Sequence, residues 1–203
     1  MNNYSIAEEY TLPSLGQVYT QKINPVVKLR SMTTQEEMKR LAPSDRQYKN
    51  LCDIIDDCIV EPIGISAYDM CIADYQFLLH KLRVVTYGSE YKTTSTCPFC
   101  NSFNNNTINL NDLEVVECSL DRLAEHQEFV LPKTGKKIKI ALQTPRMIDE
   151  VYVRNNELKK KTKGKSENNT LIFTLTSMIT TVDGQYMDPV LKEELVRSLP
   201  MMD

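Results

Sequence analysis

The chain has 203 residues, 41% of them apolar and 25% charged, which suits one or two globular domains with real cores. A net charge of −3 argues against general nucleic-acid binding, which calls for a basic excess. No apolar run approaches the roughly 20 residues that span a bilayer.

The first residues, Met1-Asn-Asn-Tyr-Ser-Ile-Ala-Glu-Glu9, hold neither a basic start nor an apolar core, so no signal peptide is expected. A reducing compartment with free thiols follows as an expectation for the six cysteines. Residues 1–30 show no clean periodicity and read as an extended N-terminal arm. Within it Leu12-Pro-Ser-Leu-Gly16 is a turn and Pro25-Val-Val-Lys-Leu-Arg30 a short strand. Its apolar residues, Leu12, Leu15, Val18, Val26, Val27 and Leu29, lack a helix period to bury them, which predicts docking onto a partner.

Residues 31–86 read as a helical unit. Thr33-Thr-Gln-Glu36 is a capping box that opens a helix stopped by Pro43, and Ser44-Asp-Arg-Gln47 is a second box. The helix it opens places Leu51, Ile54, Ile55 and Cys58 on one stripe, at the spacing of a buried face. Ser66 is the expected cap of a third helix, whose stripe is Met70, Ile72, Ala73, Phe77, Leu78 and Leu82.

From Val84 to about Leu142 the pattern turns mostly to strand, giving a central antiparallel β module over residues 87–143. Tyr91-Lys-Thr-Thr-Ser-Thr96 leads into Cys97-Pro-Phe-Cys100. Asn101 to Asn106 is a polar loop, Ile108 and Leu110 share a strand face, and Leu113-Glu-Val-Val-Glu117 reads as a further strand. Phe129-Val-Leu131 and Lys137 to Leu142 flank Pro132-Lys-Thr-Gly135, a hairpin signal. Residues 144–203 form a C-terminal helical region. Thr144-Pro-Arg146 starts one helix, Asn168 or Asn169 caps a second over Leu171–Ile179, and Asp188-Pro189 opens a third. The fold class is therefore α+β, with C-terminal helices packing on a helical unit and a β module.

The Cys-x-x-Cys turn is the sharpest chemical feature. Zinc takes four tetrahedral thiolate or imidazole ligands, and Cys97 and Cys100 supply two at the correct bite. Zinc is the only cofactor the residues suggest. Cys118 and His126 would complete a set of three thiolates and one imidazole, but without the paired local spacing of a ribbon. The other reading is a vestigial knuckle with free thiols, and both stay open here. A thioredoxin-type role wants a strand-to-helix setting that this segment lacks. His80 reads as a helix histidine of structural kind. Glu8-Glu9 and Asp56-Asp57 point to different sides of their elements, and there is no glycine-rich phosphate loop. Lys159-Lys-Lys-Thr-Lys-Gly-Lys165 reads as a solvated helix end whose lysines complement the helix dipole. No catalytic residues and no catalytic constellation are visible, so an enzyme is not expected.

Several motifs occur in one order: Leu12-Pro-Ser-Leu-Gly16, Leu29-Arg-Ser-Met-Thr-Thr-Gln-Glu-Glu-Met38, Asp74-Tyr-Gln-Phe-Leu-Leu-His-Lys-Leu-Arg83, Cys97-Pro-Phe-Cys100, Ile108-Asn-Leu-Asn-Asp-Leu-Glu-Val115, Leu131-Pro-Lys-Thr-Gly135 and Thr144-Pro-Arg146. The ordered set, spanning nearly the whole chain, resembles the baseplate hub (hub assembly) subunit family of T4-type contractile-tailed bacteriophages. The resemblance implies a late viral protein that acts in the host cytoplasm during tail assembly. Its implied partners are other baseplate hub and tail proteins, and it carries over no catalytic residues. The competing reading is a zinc-ribbon-like adaptor that binds nucleic acid through the knuckle and the lysine run. That reading wants four ligands and a basic face.

Overall fold

The computed structural model describes residues 6–163 and 167–203, with the backbone alone for Arg122, Glu125 and His126. Helices and antiparallel sheets are mixed, as the sequence predicts, and they are organised around two hydrophobic cores.

The larger core begins in the N-terminal segment. Strand β1 (Ala7–Thr11) pairs antiparallel with β2 (Val26–Arg30), Ala7 opposite Arg30. Val27 and Leu29 alternate inward from β2 and are fully buried, with Leu12 and Ile23 beside them. Helices α2 (Gln47–Cys58) and α3 (Ile72–Tyr87) pack over them with Cys52, Ile54, Ile55, Cys58, Tyr75, Leu78 and Leu82. Over its described part the expected partner-seeking arm is thus built into the core of its own chain. The missing helix period concealed a strand pair.

A single buried carboxylate holds the loop between β1 and β2. Asp74 of α3 is 0% exposed and accepts the Ser14 amide at 3.0 Å, the Ser14 hydroxyl at 2.5 Å and the Tyr19 hydroxyl at 2.6 Å. Burial of a charge is tolerable only when its oxygens are satisfied in this way. Burial and this carboxylate together push the Tyr19 hydroxyl well above the ordinary phenol range.

Helix α1 (Thr34–Leu41) carries the expected capping box, Thr33 with Glu36. The second box does not form. Ser44 bonds to Arg46, and α2 has no cap from its own side chains and no acidic residue in its first turn. Its cap comes from Asp149, about a hundred positions later, which accepts the amides of Tyr48 at 3.3 Å and Lys49 at 2.8 Å. Ser66 caps no helix either. Its hydroxyl donates to Asp56 at 2.6 Å across a turn, and α3 starts only at Ile72. That helix continues through Val84 and Val85, which bury their side chains where the sequence pattern predicts a strand.

After Gly88 come β3 (Glu90–Thr96) and β4 (Phe103–Asn109), a two-stranded antiparallel ribbon in unbroken register from Glu90–Asn109 to Thr96–Phe103. Residues 103–106, expected as loop, belong to β4. Residues 113–119, expected to include a strand, are irregular after a short 3₁₀ turn. The charged helix α4 (Leu120–Gln127) follows, an element that the sequence reading does not include.

The smaller core lies under a four-stranded sheet in the order β5 (Glu128–Val130), β6 (Lys137–Ile140), β7 (Ile179–Val182), β8 (Gln185–Tyr186). Leu131, Ile138, Ile179, Val182 and Val196 fill it. Strands of the expected β module therefore pair with strands from the C-terminal region, and the module is not one sheet. Helix α5 (Pro145–Lys161) packs on α2 and on α6 (Thr170–Met178), which lies with α7 (Pro189–Ser198) against the sheet. Thr144 and Asp188 cap α5 and α7, each ahead of a proline, as predicted. The start of α5 docks on the larger core. Arg146 makes a bidentate pair with Asp69 at 2.6 and 2.8 Å and lies over the Tyr68 ring.

Candidate functional site

Two exposed features stand out from this frame. The first is the tip of the β3–β4 ribbon, where the structure places both predicted zinc ligands. Thr96 pairs with Phe103, and the six residues between them close the turn. The Cys97 amide donates to the Ser102 carbonyl at 2.9 Å, and the Asn101 amide donates to the Cys97 carbonyl at 2.9 Å. Asn101 takes a φ of +55, a conformation asparagine tolerates better than most residues. Cys100 is exposed and Cys97 half-buried. The Ser102 hydroxyl lies 3.1 Å from the Cys100 sulfur, and hydrogen bonds from Ser102, then from Cys97, hold that thiol below its ordinary range.

No group of three or more Cys, His, Asp or Glu residues is placed to hold a metal among the described residues. Cys118 is anchored away from the tip, its amide donating to the Pro13 carbonyl at 2.8 Å, and the His126 side chain lies outside the described residues. Cys52 and Cys58 of α2 and Cys71, just ahead of α3, are buried. Phe99, between the two cysteines, is 96% exposed, and Phe103 is 75% exposed.

The ribbon stands on a defined base. Arg83 of α3 donates to the carbonyls of Gly88 at 2.7 Å and Glu90 at 3.3 Å, and its guanidinium lies over the rings of Tyr87 and Tyr91. The Leu110 amide closes the base by donating to the Ser89 carbonyl at 2.8 Å. His80 lies on the same helix, half-buried, with Nε2 buried and unpartnered, and burial lowers its pKa. No carboxylate or nucleophile among the described residues is bonded to it, and it reads as structural.

The second feature was not read from the sequence. A trough of about 480 Å³ runs between the β5–β6 strands and helices α6 and α7, with Phe129, Leu131, Ile140, Leu171 and Leu175 among its walls. Helix α6 carries no charged residue, yet Leu171 is 68% and Leu175 41% exposed, one turn apart on the trough side. The nearly all-round apolar character of this helix is the available signal. It predicts full burial, whereas the structure buries only one side.

The remaining predicted groups do not converge. Asp56 accepts from Ser66 and the Ala67 amide, while Asp57 pairs with Lys39. Glu8 accepts from Tyr10. Lys159, Lys160 and Lys161 end α5 as dipole partners, and residues 164–166 of the basic run lie outside the described residues.

A family model described as T4 bacteriophage base plate protein matches residues 3–203. No curated protein and no solved structure matches the chain.

Proposed function

The chain belongs to the T4 bacteriophage base plate protein family, and we propose that it serves as a subunit of the baseplate hub. In this reading it acts through protein–protein contacts, not by catalysis, while the tail is assembled in the host cytoplasm. Its partners are other hub and tail proteins and its place is the tail baseplate, a reading that the description of the family as a base plate protein supports. No helix among the described residues is long and apolar enough to cross a membrane.

The observation that carries this reading is the trough beside α6. A charge-free helix holding Leu171 and Leu175 partly in water, next to an open apolar groove, leaves unused the exposed share of the roughly 1.5–3 kcal/mol that full burial of a leucine is worth. A partner that inserts apolar side chains would gain it. The nucleic-acid alternative draws nothing from the knuckle, because β3 and β4 carry a single basic residue, Lys92.

The test is the double substitution Leu171→Asp and Leu175→Asp in the infecting phage. Both side chains already reach solvent, so the purified protein should keep its circular dichroism spectrum. Co-purification with hub and tail proteins should be lost, along with infectious tails. Normal tails from the double variant would show that the trough is not the contact. Normal tails in the absence of the whole protein would remove the hub reading itself.

A further inference from the structure

The ribbon tip offers half of a tetrahedral metal site in a place where the described part of its own chain supplies no further ligand. Structural zinc is almost always four-coordinate. Cys97 and Cys100 provide two sulfurs, and no third Cys, His, Asp or Glu among the described residues is grouped with them. Seven paired residues per strand, at about 3.3 Å each, hold the tip some 20 Å from the base at Gly88. Both faces of the ribbon are open to solvent for most of that length, so the body leaves a second tip room to approach.

We propose that Cys97 and Cys100 bind zinc together with the same two residues of a second copy, closing a four-thiolate centre on a twofold axis between two ribbon tips. Three observations select a second copy. A twofold contact presents the same patch from both sides, so the missing pair of thiolates at the right bite comes with the identical tip. From Thr93 through Asn111 the sequence carries no charge, so two chains of net charge −3 meet at the tip without like-charge repulsion. Phe99 and Phe103, 96% and 75% exposed, flank the sulfurs and would be covered by the opposing knuckle. Binding displaces the thiol protons to solvent, two from each chain, and forms four zinc–sulfur bonds.

The experiment uses the full chain, kept reduced, with zinc chloride as the probe. Mass is read by light scattering after gel filtration, and metal content is measured on the same peak. The expected result is one zinc per two chains and a doubled mass that chelator reverses. Cys97→Ser and Cys100→Ser should stay monomeric and retain no zinc. Phe99→Ser keeps all four ligands and should weaken the dimer by at least about tenfold in dissociation constant.

One zinc per monomer, completed within the chain, would overturn the proposal. So would a dimer indifferent to chelator, or no zinc bound at excess metal. If a serine variant misfolds by circular dichroism, cobalt loaded into the unaltered chain decides the matter. Thiolate-to-metal absorption of four sulfurs per cobalt, at one metal per two chains, supports the shared site, and the weaker absorption of two sulfurs overturns it.

Discussion

Replacing Asp149 with alanine should destabilise the larger core even though the residue lies in a different third of the chain. Asp149 is 3% exposed, and its two oxygens accept the second and third amides of α2. The helix has no substitute, since Arg46 provides no side-chain cap and the first turn holds no acidic residue. Losing an N-cap costs typically about 1 kcal/mol and up to about 2. A partly buried charge at a helix N-terminus is worth up to about 2 kcal/mol, and a buried donor left bare costs about 1–3 kcal/mol. These effects overlap and do not add in full, so Asp149→Ala should lose about 2–3 kcal/mol. With a urea slope of about 2 kcal/mol per molar, the unfolding midpoint falls by about 1–1.5 M with the slope unchanged. Asp149→Asn keeps one acceptor oxygen without the charge and should lose about half as much. A loss below about 0.5 kcal/mol for the alanine variant would show that water replaces the carboxylate and that the remote cap is not a structural tie.

Two further outcomes test the base of the ribbon and the first helix. Gly88 has φ +86 and ψ 169, a region open essentially to glycine alone, and a methyl group there would touch nothing within 4 Å. Gly88→Ala should therefore cost about 1–3 kcal/mol from backbone strain alone; a neutral result in urea unfolding would mean the turn relaxes without penalty. Glu36 is held at about pKa 2, below its usual 4.5, chiefly by the Arg30 guanidinium and then by Thr33, against the opposing effect of burial. The unfolded state binds the proton more readily, so this contribution is complete above pH 4.5 and fades as pH falls toward 2. Unfolding midpoints taken from neutral pH downward should fall faster for the unaltered chain than for Glu36→Gln, and parallel curves would refute the assignment.

What can be read from the sequence is local. The Thr33–Glu36 box and the Thr144-Pro and Asp188-Pro starts each depend on side chains within a few residues of the backbone groups they satisfy, the Pro132 to Gly135 turn closes on backbone bonds between Leu131 and Gly135–Lys136, and each appears where predicted. The failures share a different cause. Ser44 resembles a cap because the competing acceptor, Asp149, is near only after folding. Val84 and Val85 resemble the start of a strand because β-branched residues favour strands, but both are buried on α3, Val85 within the larger core, and stay helical. The first thirty residues resemble an arm because pairing between β1 and β2 leaves no helical period, and the Asp74 cluster that ties down their loop joins residues far apart in sequence. For the candidate sites, the Cys-x-x-Cys turn is legible as two ligands at a fixed bite. The trough is not, since a charge-free helix reads the same whether one side or all sides are covered.

The guanidinium of Arg83 sets more than local order at the foot of the ribbon. With a rigid arm of some 20 Å, a rotation of about 6° at Gly88 displaces the knuckle by about 2 Å, comparable with the length of a metal–sulfur bond. Angular play at the foot is thus amplified into positional error at the sulfurs. By bridging the carbonyls on either side of the turn, Arg83 acts as the bearing of a lever, and the accuracy with which the far end meets its target is decided at the near one.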